Sequence, residues 1–136
     1  MKHYVLDANA IIRYLTEGPG IERLDTLFDR ARRGEIHLWM SVINRGEALY
    51  SLAKRSGMLE AIEALRILAH FVESVPVSEE HADGAATFKF MYKFGYADCF
   101  AAHLAIRLGA TLVTADPEFA KLGKQLKILA LPRHSR

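Results

Sequence analysis

Short apolar runs of strand character alternate with stretches of helical periodicity along the whole chain, and this alternation limits the fold more than any other feature. His3 to Leu6 is the first such run and ends on an acid, Asp7. Ile36 to Met40, Val75 to Val77, Thr111 to Thr114 and Ile128 to Leu131 are the others. Between them, Ala10, Ile11, Tyr14 and Leu15 recur at helical spacing until Gly18-Pro19-Gly20 stops the pattern. Residues 21–33 repeat it with Ile21, Leu24, Leu27 and Phe28 on one side. Ser41 sits where an N-cap belongs, opening a helix that runs to about Gly57. Residues 59–72 carry the clearest stripe, which predicts that Leu59, Ile62, Leu65, Leu68 and Val72 face inward. Ser78 caps a further helix that carries Ala82, Ala85, Ala86 and Phe88 and ends at Gly95. Phe100, Ala101, Leu104, Ala105 and Leu108 mark another, closed by Gly109, and Asp116-Pro117 opens a short one. Strands and helices alternating at this spacing predict an α/β fold with a mostly parallel central sheet covered on both faces.

No repeat, low-complexity tract or Gly/Ser linker interrupts residues 1–136, so the expectation is a single domain with one real core, consistent with 51% hydrophobic residues. Eighteen basic residues against sixteen acidic ones leave a net charge of +2, which neither announces nor excludes a nucleic-acid partner. With Cys99 as the single cysteine, no intramolecular disulfide can form, and a reducing compartment is the simplest fit. Asp7, Asn9 and Arg13 break the N-terminal apolar run, and no stretch approaches ~18 uninterrupted apolar residues. The expected location is the cytoplasm, with no membrane partner.

Carboxylates carry the chemistry. In open parallel sheets, ligands bind beyond the carboxyl ends of the strands. Asp7 and Asp116 fall there. Glu47 lies in the second turn of the helix after the second strand. Asp98, in the first turn of its helix, faces the same rim if that helix packs antiparallel to the strands. Each aspartate also has a plainer explanation. Asp116 before Pro117 is a good N-cap, Asp98 complements a helix dipole, and Asp7 can cap the helix that follows it. Glu47 lies too far into its helix for either role, which leaves an ordinary exposed helix glutamate as its alternative. As a group, carboxylates within ~5 Å of one another would repel by about 3 kcal/mol per pair at an effective dielectric of ~20. Protonation or a bound cation relieves that repulsion. Oxygen-only donors favour hard ions such as Mg²⁺ or Mn²⁺, which can activate water and neutralise charge building on a phosphodiester. A metal-dependent nuclease is the reading that uses all four acids.

Other chemistries are not encoded. The chain has no Gly-rich phosphate loop ending in Gly-Lys-Ser/Thr, no dinucleotide fingerprint and no Gly-x-Ser-x-Gly elbow. The histidines lack zinc spacing. Cys99 and His103 share a helix face, but two residues do not make a zinc site, and core packing explains them better. The run Phe88, Phe90, Met91, Tyr92, Phe94, Tyr96 reads as core plus a protein interface rather than a base-stacking platform.

These residues together resemble the PIN-domain family, of the kind found as VapC toxins in bacterial and archaeal toxin–antitoxin pairs. Val5-Leu6-Asp7-Ala8-Asn9 is similar to the family's first motif. Ser41-Val42-Ile43-Asn44-Arg45-Gly46-Glu47 resembles the second, Tyr96-Ala97-Asp98-Cys99-Phe100-Ala101-Ala102 the third, and Leu112-Val113-Thr114-Ala115-Asp116 the fourth. The resemblance implies a three-layer α/β/α fold and a Mg²⁺- or Mn²⁺-dependent endoribonuclease. Asp7, Glu47, Asp98 and Asp116 would be its catalytic and metal-binding tetrad, with Asn9 and Thr114 as polar support. It further implies RNA as substrate, a homodimer, and an antitoxin partner whose C-terminal tail covers the active site. The family's fourth acid is its most variable, so Asp116 is either a direct ligand or an orienter of water. Arg13, Arg45 and the tail Pro132–Arg136 are candidate contacts to the substrate backbone. Two alternatives stay open: a PIN nuclease of RNA processing or of DNA without an antitoxin, and a non-catalytic protein-binding module whose acids only cap helices.

Overall fold

The computed structural model describes residues 1–133. Five parallel strands form one sheet: β1 (Lys2–Leu6), β2 (Ile36–Ser41), β3 (Val72–Val75), β4 (Thr111–Thr114) and β5 (Lys127–Ala130), in the spatial order β3-β2-β1-β4-β5. The chain builds outward from β1 through β2 to β3, then crosses back to lay β4 and β5 on the other side. The order therefore reverses between β1 and β4, where such sheets open a crevice at the strands' carboxyl ends.

Helices cover both faces. α1 (Ala8–Thr16), α2 (Ile21–Arg32), α3 (Val42–Ser56) and α4 (Met58–Leu68) precede β3. α5 (Glu79–Tyr92) and α6 (Tyr96–Leu108) precede β4, and a short 3₁₀ helix (Pro117–Gln125) joins β4 to β5. Strand residues alternate between two cores, as a period of two requires. Tyr4, Leu6, Leu38, Met40 and Val113 join Ile11, Leu24, Phe28 and Leu65 on one side. Val5 and Leu112 join Phe100, Ala101, Leu104 and Phe119 on the other. The arrangement is the three-layer α/β/α one that the resemblance implies. The close helix packing expected from the alanines of α6 occurs against α5. There a Cβ added at Gly84 would lie 2.1 Å from Nε2 of His103, so any larger residue requires the imidazole to move.

Most element boundaries agree with the sequence reading, including the caps at Ser41, which accepts from the Ile43 N–H, and Ser78, which accepts from the His81 N–H. Four details differ. α4 ends at Leu68 rather than continuing to Val72, because Val72 pairs with Leu38 to start β3, and strand pairing overrides the helical pattern. The strand foreseen at Val75 to Val77 is accordingly Val72–Val75. The buried stripe of α4 is Ala61, Leu65 and Leu68, which leaves Leu59 84% and Ile62 45% exposed. α5 turns Ala86 outward and stops at Tyr92, with Lys93 in the left-handed region as its cap.

This rotation of α4 makes a direct prediction. Leu65→Ala should cost about 2–5 kcal/mol in urea unfolding, the range for a buried leucine. Leu59→Ala should stay within about 0.5 kcal/mol.

Candidate active site

β1 ends at Leu6, and the chain turns at once into α1 through Asp7, whose backbone N–H donates to the Val113 carbonyl of the adjacent strand at 3.4 Å. β4 ends at Thr114, and Asp116 follows two residues later. α3 rises directly from β2 and carries Glu47 in its second turn. α6 returns toward β4 with Asp98 in its first turn. These four elements place all four acids on one open cleft of about 460 Å³, shared with Asn9, Arg13 and Ser51. A somewhat larger depression of about 570 Å³ lies at the amino ends of the strands, lined by Ile36, His37, Val72 and Glu73 among others. It gathers no set of carboxylates.

The aspartates do cap helices, as the plainer explanation anticipates. The Ala10 N–H donates to Oδ1 of Asp7 at 2.8 Å, and the Glu118 N–H donates to Oδ1 of Asp116 at 2.9 Å. A carboxylate offers about four acceptor positions, so one cap bond leaves most of its capacity available. Asp98 makes no cap bond: Gly95 holds the cap position of α6 without side-chain help.

Electrostatics show that the acids sense one another. Burial lifts the Asp7 carboxyl to about 6, and the charges of Asp98 and Asp116 push the same way. A hydrogen bond from Thr114 and the Ala10 N–H oppose the shift. Asp98, half-buried, also rises to about 6, first through desolvation and then through repulsion by Asp116, Glu47 and Glu118. Among the described residues no group of three or more His, Cys, Asp or Glu side chains is arranged as a ready-made metal cage. What fits a hard divalent cation is the donor set, oxygen throughout, and the uncompensated negative charge it concentrates.

Thr114 sits beneath the site, 1% exposed, with its Oγ1 accepting from the Asp116 N–H at 3.0 Å while it also bonds Asp7. It thereby ties the first acid to the fourth. Asn9 lines the cleft from an exposed position. Asn44 is a functional candidate that motif reading passed over. It is 1% exposed, and its Nδ2 donates to Glu47 Oε1 and to the Ala97 carbonyl, each at 3.1 Å. Its spacing of three residues from Glu47 on one helix was the available signal.

The basic candidates sort differently than expected. The Arg13 guanidinium donates to the carbonyls of Pro19 at 3.2 Å, Arg133 at 3.0 Å and Pro132. It fastens the C-terminal segment, because carbonyl oxygens already occupy its donors. Arg133 lines the cleft and Arg45 does not. Of the tail Pro132–Arg136, residues 134–136 lie outside the described residues. Cys99 is buried, and desolvation, then the Asp98 charge, pushes its thiol up to about 11, consistent with packing rather than reactivity.

A family model described as PIN domain matches residues 4–125. No curated protein sequence matches the chain. Among solved structures, VapBC2 from Rickettsia felis, bound to a DNA fragment from its promoter, superposes with a TM-score of 0.76 at 21% identity, covering 95% of this chain and 98% of that one. VapBC-1 from nontypeable Haemophilus influenzae gives a TM-score of 0.72 at 24% identity over 94% and 97%. VapC20 from Mycobacterium tuberculosis, described as a toxin that cleaves the sarcin–ricin loop, gives 0.70 at 17% over 88% and 95%.

The raised carboxyl of Asp7 has a consequence for stability. Its folded value of about 6 exceeds the usual 3.8, so between these values the native state binds more protons than the unfolded chain. The cost is absent below about pH 4, grows through that window and is full above about pH 6. Asp7→Asn, which keeps a capping oxygen, should therefore stabilise the metal-free protein by about 1–3 kcal/mol at pH 7.5. Denaturant unfolding across pH should show the gain vanishing toward pH 4. A gain independent of pH would contradict the assigned cause.

Proposed function

This chain belongs to the PIN-domain family, and from that premise we propose that it is a metal-dependent endoribonuclease acting as the toxin of a toxin–antitoxin pair. The convergence of Asp7, Glu47, Asp98 and Asp116 on one cleft, with two of them raised to about 6, is the observation that carries the reading. A protein that keeps mutually repelling carboxylates together forfeits stability unless a cation or substrate chemistry makes use of them. Structural neighbours that are VapBC complexes support an antitoxin as partner, and VapC20, described as a sarcin–ricin-loop-cleaving toxin, supports RNA as substrate.

In this reading Asp7, Glu47 and Asp98 hold Mg²⁺ or Mn²⁺ through their carboxylate oxygens. When bound, the ion supplies a lowered pKa for water and neutralisation of the charge that builds on the phosphoryl oxygens. Asp116, fixed by its cap bond and by Thr114, serves as a ligand or accepts a hydrogen bond from the attacking water and so orients it. Asn9 offers a polar contact at the rim. Arg133 stands where it can meet a backbone phosphate of the substrate, while Arg13 holds the segment that carries it.

Partner surfaces are assigned to the apolar side chains left uncovered. Met58, Leu59, Ile62 and Ile67 form one group on α4. Phe90 and Met91 on α5, with Tyr96 at the start of α6, form another. Exposed apolar groups of this kind mark protein contacts, and the homodimer and the antitoxin would draw on them. No helix of the described residues is long and apolar enough to cross a membrane.

Asp98→Asn and Glu47→Gln should each reduce Mg²⁺-dependent cleavage of single-stranded RNA at least about a hundredfold, with unchanged circular dichroism. Undiminished cleavage by either variant would remove the tetrad assignment. Millimolar Mg²⁺ should raise the melting temperature of the unaltered protein, and raise it less in Asp98→Asn. If the acids serve only as helix caps, these substitutions would change stability and leave no metal response to lose.

A further inference from the structure

Asn44 occupies the third position of α3 after its cap Ser41, one turn before Glu47. Its amide nitrogen meets two acceptors, Glu47 Oε1 and the Ala97 carbonyl oxygen, at 3.1 Å each. Because neither partner can donate when Glu47 is ionised, the amide can face only one way. Its Oδ1 then points into the interior, buried and without a hydrogen-bond partner among the described residues. An unsatisfied buried acceptor weakens a fold, whereas an apolar side chain of similar volume would carry no such cost. Packing alone therefore gives no reason for asparagine here.

The two bonds that are made do supply one. Glu47 is exposed, and Asn44 provides its side-chain hydrogen bond among the described residues. Ala97 immediately precedes Asp98 in the first turn of α6. One buried amide thus joins the carboxylate on α3 to the backbone that carries the carboxylate on α6. Without it, nothing in the hydrogen bonding selects one rotamer of an exposed glutamate with three side-chain torsions. Electrostatics oppose the desired orientation, since Glu47 and Asp98 repel. A neutral donor that holds Glu47 toward Asp98 without neutralising it suits this task better than lysine or arginine, whose charge would compete with a cation.

We propose that Asn44 is a positioning residue that orients the Glu47 carboxylate relative to Asp98, so that the cleft receives a divalent cation with its acids already in place. The inference rests on the nuclease reading for what the cleft does, but its test can be read without RNA.

The test uses the full chain, stripped of metal, with Mn²⁺ as the probe in titration calorimetry. Asn44→Leu should weaken Mn²⁺ binding by about 10–100-fold, the range for residues that orient metal ligands. Metal-free Asn44→Leu should unfold at a denaturant concentration equal to or above that of the unaltered protein. Combined with Glu47→Gln, Asn44→Leu should add less than about a twofold further loss, because the group it orients has lost its charge. Asn44→Ala removes the same donor without adding charge or bulk and should weaken Mn²⁺ binding about as much, which keeps the test open if the leucine variant folds poorly. With RNA, the loss should persist in kcat at saturating Mn²⁺ while KM for RNA holds.

Unchanged Mn²⁺ affinity in both variants would overturn the proposal. So would an equal loss with and without Glu47→Gln, or no Mn²⁺ binding by the unaltered protein. Tight Mn²⁺ binding that depends on Asn44, in a protein that cuts no RNA, would refute the nuclease reading and leave the positioning role standing.

Discussion

The pairing of β1 with β2 on one side and β4 on the other is the constraint on which the rest of the structure depends. Val5 and Leu6 are fully buried, one toward each core, so the strand cannot shift by one residue without exchanging its two faces. That register fixes where the strand ends, and its end is Asp7. The Asp7 N–H continues the ladder by reaching the Val113 carbonyl, which brings the acid against Thr114. The position of the first carboxylate is thus a consequence of sheet formation, with no loop free to misplace it.

The other acids are delivered by the same frame at different levels. Asp116 follows the strand paired with β1, and Thr114 bonds both acids, so the sheet fixes that pair directly. Glu47 and Asp98 depend on how α3 and α6 pack over the sheet, a looser route. The hydrogen bonds of Asn44 tighten it. Concentrating like charge at the reversal of strand order costs stability, most visibly at Asp7, where burial and repulsion act together. The acids of the cleft repel one another, and the stability of the two cores is what makes that tolerable.

Arg13 shows how a charged residue near the acidic cleft can serve the fold. Its guanidinium is nearly buried, and its donors go to the carbonyls of Pro19, Pro132 and Arg133. It locks the turn after α1 to the segment after β5, and so places Arg133 at the rim. The exposed apolar residues of α4 and α5 show the converse. Leu59 and Phe90 obey a hydrophobic pattern but lie outward, 84% and 85% exposed.

Strand–helix alternation determined the α/β class, most element limits and the caps at Ser41 and Ser78, because periodicity and capping are local properties. The acids were legible as four positions at strand ends or helix turns that could face one rim, and the resemblance added the reason to group them. Packing decided that they share a cleft, that Asp7 feels the charges of Asp98 and Asp116, and that Thr114 bonds both Asp7 and the Asp116 N–H. It also rotated α4, so that Ala61, Leu65 and Leu68 were buried in place of Leu59 and Ile62. An apolar stripe wider than one contact face does not say which edge meets the sheet. Asn44 lay one helical turn from Glu47 in plain view, yet its bond to Ala97 spans fifty-three residues, and only the meeting of α3 with α6 reveals it. Sequence alone sets what each residue can do locally; which charges must tolerate one another is settled when distant segments share the same space.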